Sequence, residues 1–154
     1  MPHASAEERV VVLDDWPLPA AGAPCPRIMA DDSALSLIYR TADGRFAVVH
    51  FPLCNYLAFG SPNHEALGGH PLCARGLRHY SVHEVFGSSL IQELERRNSV
   101  HPRHDPESYL RGMKHYVFTF QDRTLECVAT TEPWWQESIQ VFEREEEAKQ
   151  AFGQ

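Results

Sequence analysis

Apolar and polar residues alternate with a period of two through several stretches of the chain, the pattern of strands that bury one face. The clearest case is 35–41 and 45–51, two β-rich runs on either side of Asp43-Gly44. That dipeptide suits a two-residue hairpin turn, which sets Tyr39 opposite Val48 and Leu37 opposite His50. Pro52 ends the pairing. His50 is then expected among apolar neighbours, as a half-buried imidazole rather than a ligand. A second hairpin is expected from 113–122 and 124–130, with Asp122-Arg123 as its turn. Its register opposes Thr119 to Glu126 and Val117 to Val128. It gathers Tyr116, Phe118 and Phe120 with Leu125, Cys127 and Ala129 on the core face. Residues 10–13 read as a short β-branched strand. Residues 77–86 read as a longer one, with Leu77, His79, Ser81, His83 and Val85 on one face.

Elsewhere the period lengthens or breaks. Ser88 or Ser89 caps a helix running to about residue 97, with Leu90, Ile91 and Leu94 as its apolar stripe; Ser89 and Gln92 have the spacing of a capping box. Asp105 and Pro106 open a short helix to about 110. The last helix is expected over 134–152, with Trp135, Ile139, Phe142 and Phe152 as its stripe. Pro17, Pro19, Pro24 and Pro26 keep 17–27 irregular. Gly60, Pro62, Gly68, Gly69 and Pro71 break up 55–72, leaving room for one helical turn at 64–67 capped by Ser61 or Asn63. The order β, ββ, loop, β, α, ββ, α predicts a single α+β domain over 1–154. It would be a mainly antiparallel sheet built from two hairpins plus additional strands, with two or three helices packed on one side.

Composition narrows the class further. A hydrophobic share of 43% and a charged share of 23% are those of an ordinary globular protein. No apolar run approaches the ~20 residues of a membrane span, so no membrane is expected as a partner. The first nine residues have neither a basic leader nor an apolar core, so a soluble, cytoplasmic protein is expected. A net charge of −7 excludes a general nucleic-acid binder, since phosphate affinity comes from Lys and Arg. From Glu132 onward six acids (Glu132, Glu137, Glu143, Glu145, Glu146 and Glu147) face only Arg144 and Lys149, an acidic surface suited to a protein partner. Cys25, Cys54, Cys73 and Cys127 form no Cys-x-x-Cys pair and read as free thiols.

The candidate chemistry is histidine chemistry. Nine histidines occur in 154 residues, six of them between Phe59 and His104. His79 and His83 share a strand face four residues apart, about 13 Å at strand rise, too far for one metal ion. His101 and His104 sit with Arg103 and Asp105 in a loop bounded by Pro102 and Pro106, where they can converge. With His64 and His70 they are the donors open to a divalent metal such as zinc, but no zinc spacing is present and no cofactor is expected. His79-Tyr80-Ser81 resembles one of the two His-x-Ser/Thr motifs of two-histidine phosphodiesterases. The second motif is missing, because His115-Tyr116-Val117 has valine where the hydroxyl belongs. No Gly-x-Ser-x-Gly elbow, dinucleotide fingerprint or phosphate loop occurs.

The expectation is therefore a polar pocket without identifiable catalytic machinery. His79, Ser81 and His83 on one strand, with His115, Thr119 and Glu126 on the second hairpin, line a sheet face that His101, Arg103 and His104 border. Free N–H groups at the 87–89 junction favour an anion there. Acidification would then strengthen anion binding and weaken a metal's. Binding a small ligand or a protein partner is the first expectation, a His-dependent hydrolase the second, and an interaction module using the acidic C-terminal helix the third.

Overall fold

The two expected hairpins turn out to frame two different sheets. The computed structural model describes residues 7–22 and 26–153. A four-stranded antiparallel sheet has the order β2 (Arg27–Ala30), β3 (Leu35–Arg40), β4 (Phe46–Phe51), β9 (Ser138–Phe142). A five-stranded one has the order β1 (Arg9–Val12), β6 (Val82–Phe86), β7 (Met113–Thr119), β8 (Thr124–Thr130), β5 (Cys54–Gly60). The helices α1 (Ser89–Asn98), α2 (Pro106–Leu110) and α3 (Glu145–Phe152) complete an α+β fold.

Alternation along each strand decides what lies between the sheets. Leu35, Leu37, Tyr39, Ala47, Val49 and Phe51 on the first sheet meet Val82, Tyr116, Phe118, Leu125, Cys127 and Ala129 on the second. Trp16 closes one end over Tyr116, with ring centroids 5.2 Å apart. The outer faces are covered separately. α3 lays Ala148 and Phe152, one turn apart, on Ile38 and Val48 of the four-stranded sheet. The segment 61–77 lays Leu67, Leu72 and Leu77 on Val10, Val85 and Val117 of the five-stranded sheet.

Both turns differ from expectation, with different consequences. The second hairpin pairs Val117 with Glu126 and Thr119 with Thr124. Phe120 and Arg123 close it around Gln121 and Asp122, one residue earlier than expected. The slip in pairing is two residues, so the core face is unchanged. In the first hairpin Thr41 N donates to Arg45 O, leaving Ala42, Asp43 and Gly44 as a three-residue loop. This odd slip brings His50 opposite Ser36, on the outer face, where Ser36 Oγ and His50 Nδ1 are 2.7 Å apart. Gly44 has φ +85° and nothing within 4 Å of the space a side chain would fill. Gly44→Val should therefore cost about 1 kcal/mol or more in purely conformational terms. A melting midpoint equal to the parent's would contradict the left-handed turn.

Two elements require correction. The strand expected over 77–86 begins only at Val82. Thr119 Oγ1 accepts from Ser81 N and donates to Arg78 O, pinning 78–81 as a turn with Tyr80 at φ +49°. The helix expected over 134–152 is a strand followed by a shorter helix. Ser138 to Phe142 also alternates with period two and pairs with the free side of β4. α3 then starts where Glu145, Glu146 and Glu147 fill a first turn that favours carboxylates. The Pro-rich segment is irregular apart from one bridge between Pro19 and Thr41, and its residues 23–25 lie outside the described residues. Cys54, Cys73 and Cys127 are free thiols; Cys25 lies outside the described residues. No helix among the described residues is long and apolar enough to cross a membrane.

Candidate functional site

The outer face of the five-stranded sheet carries a row of polar side chains among apolar ones. By alternation, His83 of β6, His115 and Thr119 of β7, and Thr124 and Glu126 of β8 point away from the inter-sheet core. Each has been drawn into a hydrogen-bonding arrangement. No buried side-chain nitrogen or oxygen among the described residues lacks a partner.

Glu126 is the centre. His115 Nε2 lies 2.6 Å from its Oε1, and His70 Nε2 lies 3.3 Å from its Oε2. The backbone N–H of Leu72 donates to His70 Nδ1 at 3.0 Å, so the His70 hydrogen sits on Nε2 and points at the carboxylate. On the far side of His115, Nδ1 lies 2.7 Å from Ser88 Oγ. Ser88 is the N-cap of α1 and accepts the N–H of Ile91 at 3.1 Å. Burial pushes the Glu126 carboxyl up, but the hydrogen bonds from His115 and His70 outweigh it and hold the pKa at about 2. Glu126 is thus an ionised carboxylate clamped between two imidazoles. Two of its lone-pair positions remain open, and its side chain is 20% exposed.

That exposed part opens on a cleft of about 310 Å³. Tyr56, Pro71, Leu72 and Leu90 supply its apolar lining; Glu8, Glu93 and Glu126 supply carboxylates, with no Lys or Arg in the wall. Glu93 is already paired with Arg96 and Arg97, both on the solvent side of α1. Glu8 Oε2 accepts from the N–H and hydroxyl of Ser89 at 2.6 and 2.8 Å, filling the start of α1. The anion expected at that junction therefore finds the protein's own carboxylate in place. Glu126 and His70 also wall a second, smaller cavity of about 180 Å³.

The remaining expected site residues are dispersed. His83 is fully buried, its Nε2 accepting from Arg78 N and its Nδ1 donating to Val117 O. Burial holds its pKa below the ordinary value, with repulsion from Arg78 and His70 assisting against the Val117 hydrogen bond. It is a neutral structural pin. Ser81 is buried and donates to His79 O. His79 is exposed, its ring near those of His64 and Tyr80. His104 bonds Glu95 at 2.9 Å and Asn98 at 2.8 Å, fastening the 99–105 loop to the last turn of α1. Ser88 and Asn98 are the two ends of that helix, ~15 Å apart by its rise, so His104 and Ser88 belong to opposite ends. His101 and Arg103 are exposed.

His115 and Glu126 are therefore brought together. His101, Arg103 and His104 stay together in their own loop, where the N–H of Arg103 donates to His101 Nδ1 and that of His104 to His101 O, and neither they nor His79 and His83 join that pair. Sequence reasoning reached His70 only as a metal donor and Ser88 only as a helix cap, and left out Tyr56. The usable signal for His70 was its position between Gly68-Gly69 and Pro71, where the chain can approach a sheet closely. No group of three or more His, Cys, Asp and Glu side chains among the described residues is arranged to hold a metal ion. The physical reason at Glu126 is that both imidazoles direct Nε2 at the carboxylate, leaving no convergent lone pairs. No protein-family model, curated protein or solved structure matches this chain.

Proposed function

We propose that the protein binds a small organic cation with an apolar body in the cleft above Glu126. One observation carries the reading: an ionised, half-buried carboxylate at the base of a cleft whose wall holds no Lys or Arg. An ammonium or guanidinium group would take the open lone pairs of Glu126, and Tyr56 offers an aromatic face nearby. Leu72, Leu90 and Pro71 suit an apolar remainder, and a volume of about 310 Å³ admits a molecule of roughly one ring and a short chain. Calorimetric titration with phenethylamine should show saturable binding that Glu126→Gln abolishes, while phenylacetate should not bind. Binding of phenylacetate in preference to the amine would reverse the sign of the site and overturn the reading.

A second reading, hydrolysis, draws support from the unbroken relay of Glu126, His115 and Ser88. Its contacts of 2.6 and 2.7 Å connect a carboxylate, an imidazole and a hydroxyl. Against it, Ser88 is buried, its oxygen already caps α1, and it does not line the cleft. Covalent labelling of Ser88 by a fluorophosphonate, lost in His115→Gln, would favour hydrolysis over simple binding.

A further inference from the structure

We propose that the outer edge of β9 takes up an extended, basic segment of a partner protein as a fifth strand of its sheet. β9 ends the order β2-β3-β4-β9, and no strand lies beyond it among the described residues. Its backbone geometry follows from the hairpin beside it. Thr41 N donates to Arg45 O, so the hydrogen-bonded pairs of β3 and β4 fall on Tyr39 with Ala47 and on Leu37 with Val49. Phe46, Val48 and His50 are then the β4 residues that bond β9, through Phe142, Gln140 and Ser138. Ile139 and Val141 are left with their N–H and C=O groups turned outward.

The same two residues are half-exposed, at 36% each, beside Trp16, Pro17 and Leu18 along a cleft of about 530 Å³. Protection usual for an edge is missing: 138–142 contains no charge, proline or bulge. β5, by contrast, is bulged between Cys54 and Tyr56. Trp134, 83% exposed, and Trp135, 42% exposed, lie just before the strand and offer aromatic faces to cationic side chains.

Charge selects the occupant. Asp15 and Asp43 line the cleft and Glu137 and Glu143 bracket the strand, against Arg45, whose guanidinium Asp43 already holds at 2.7 and 3.0 Å. A second copy fits poorly. Antiparallel pairing about a two-fold axis at Gln140 would set Glu137 of each copy opposite Glu143 of the other. A peptide alternating apolar residues with Lys or Arg meets both the apolar cleft and the acids.

The test uses fluorescence polarisation of the full chain with a labelled peptide of alternating valine and lysine, and its glutamate counterpart. The lysine peptide should bind and the glutamate peptide should not. Val141→Pro removes one outward N–H and leaves the β4 side intact, so affinity should fall about ten-fold with little change in melting midpoint. Glu143→Lys, at an exposed position, should weaken the lysine peptide independently of any backbone effect. Equal binding of the two peptides, indifference to both substitutions, or a dimer that Val141→Pro dissociates would overturn the proposal.

Discussion

Phe118→Ala should destabilise the protein by about 3–5 kcal/mol, the usual cost of emptying a fully buried aromatic site. The ring has no exposure and stands where both sheets and the Trp16 segment meet. Its centroid is 6.0 Å from Trp16, 6.2 Å from Tyr39, 6.4 Å from Phe51 and 6.3 Å from Phe120. Tyr39 and Phe51 come from the four-stranded sheet, so the cavity would open across the interface that joins the two layers. Trp134→Ala, at a position 83% exposed, should change stability by less than about 0.5 kcal/mol. Urea unfolding of the two variants separates the cases. Similar small losses in both would mean that the sheets do not pack through Phe118.

The second large effect belongs to Glu126. Glu126→Gln should cost about 3 kcal/mol at pH 7, because a carboxyl drawn from 4.5 to about 2 contributes roughly that much to folding. The sign follows from the direction of the shift. A carboxyl whose folded pKa is depressed contributes fully above its unfolded value and loses that contribution as pH falls through the folded value. The parent should therefore stay ahead of the variant down to about pH 4.5, and the gap should close towards pH 2. His83 also loses stability on acidification, because its folded pKa is depressed below 6.5. Its loss begins below 6.5 and occurs in both proteins, so it cancels in the difference. A gap that is constant across this range would deny Glu126 its role.

Much of the fold was legible because strand pattern survives errors of register. The second hairpin slips by two residues, yet Tyr116, Phe118, Leu125 and Cys127 still form the core as alternation requires. The first slips by one, and His50 changes both partner and surroundings. Ser138 to Phe142 satisfies a helical stripe and a strand alternation equally well over five residues, and the unpaired side of β4 decides between them. The candidate site was legible only within one hairpin. His115 and Glu126 are 11 residues apart on adjacent strands, so alternation alone puts them on one face. His70 is 56 residues from Glu126 and arrives on an irregular loop, whose path no periodicity encodes. Ser88 was legible as a cap, but its second partner depends on how β6 and β7 align. Histidine abundance misled for a related reason: His83 and His104 serve to fasten a turn and a loop in place.

The most direct measurement is the NMR carboxyl-carbon resonance of Glu126, followed from pH 7 to pH 2 with and without phenethylamine. The expected resonance stays that of a carboxylate down to about pH 3 and shifts when the amine is added. A resonance that titrates near 4.5 and ignores the amine would contradict the clamped, cation-binding carboxylate.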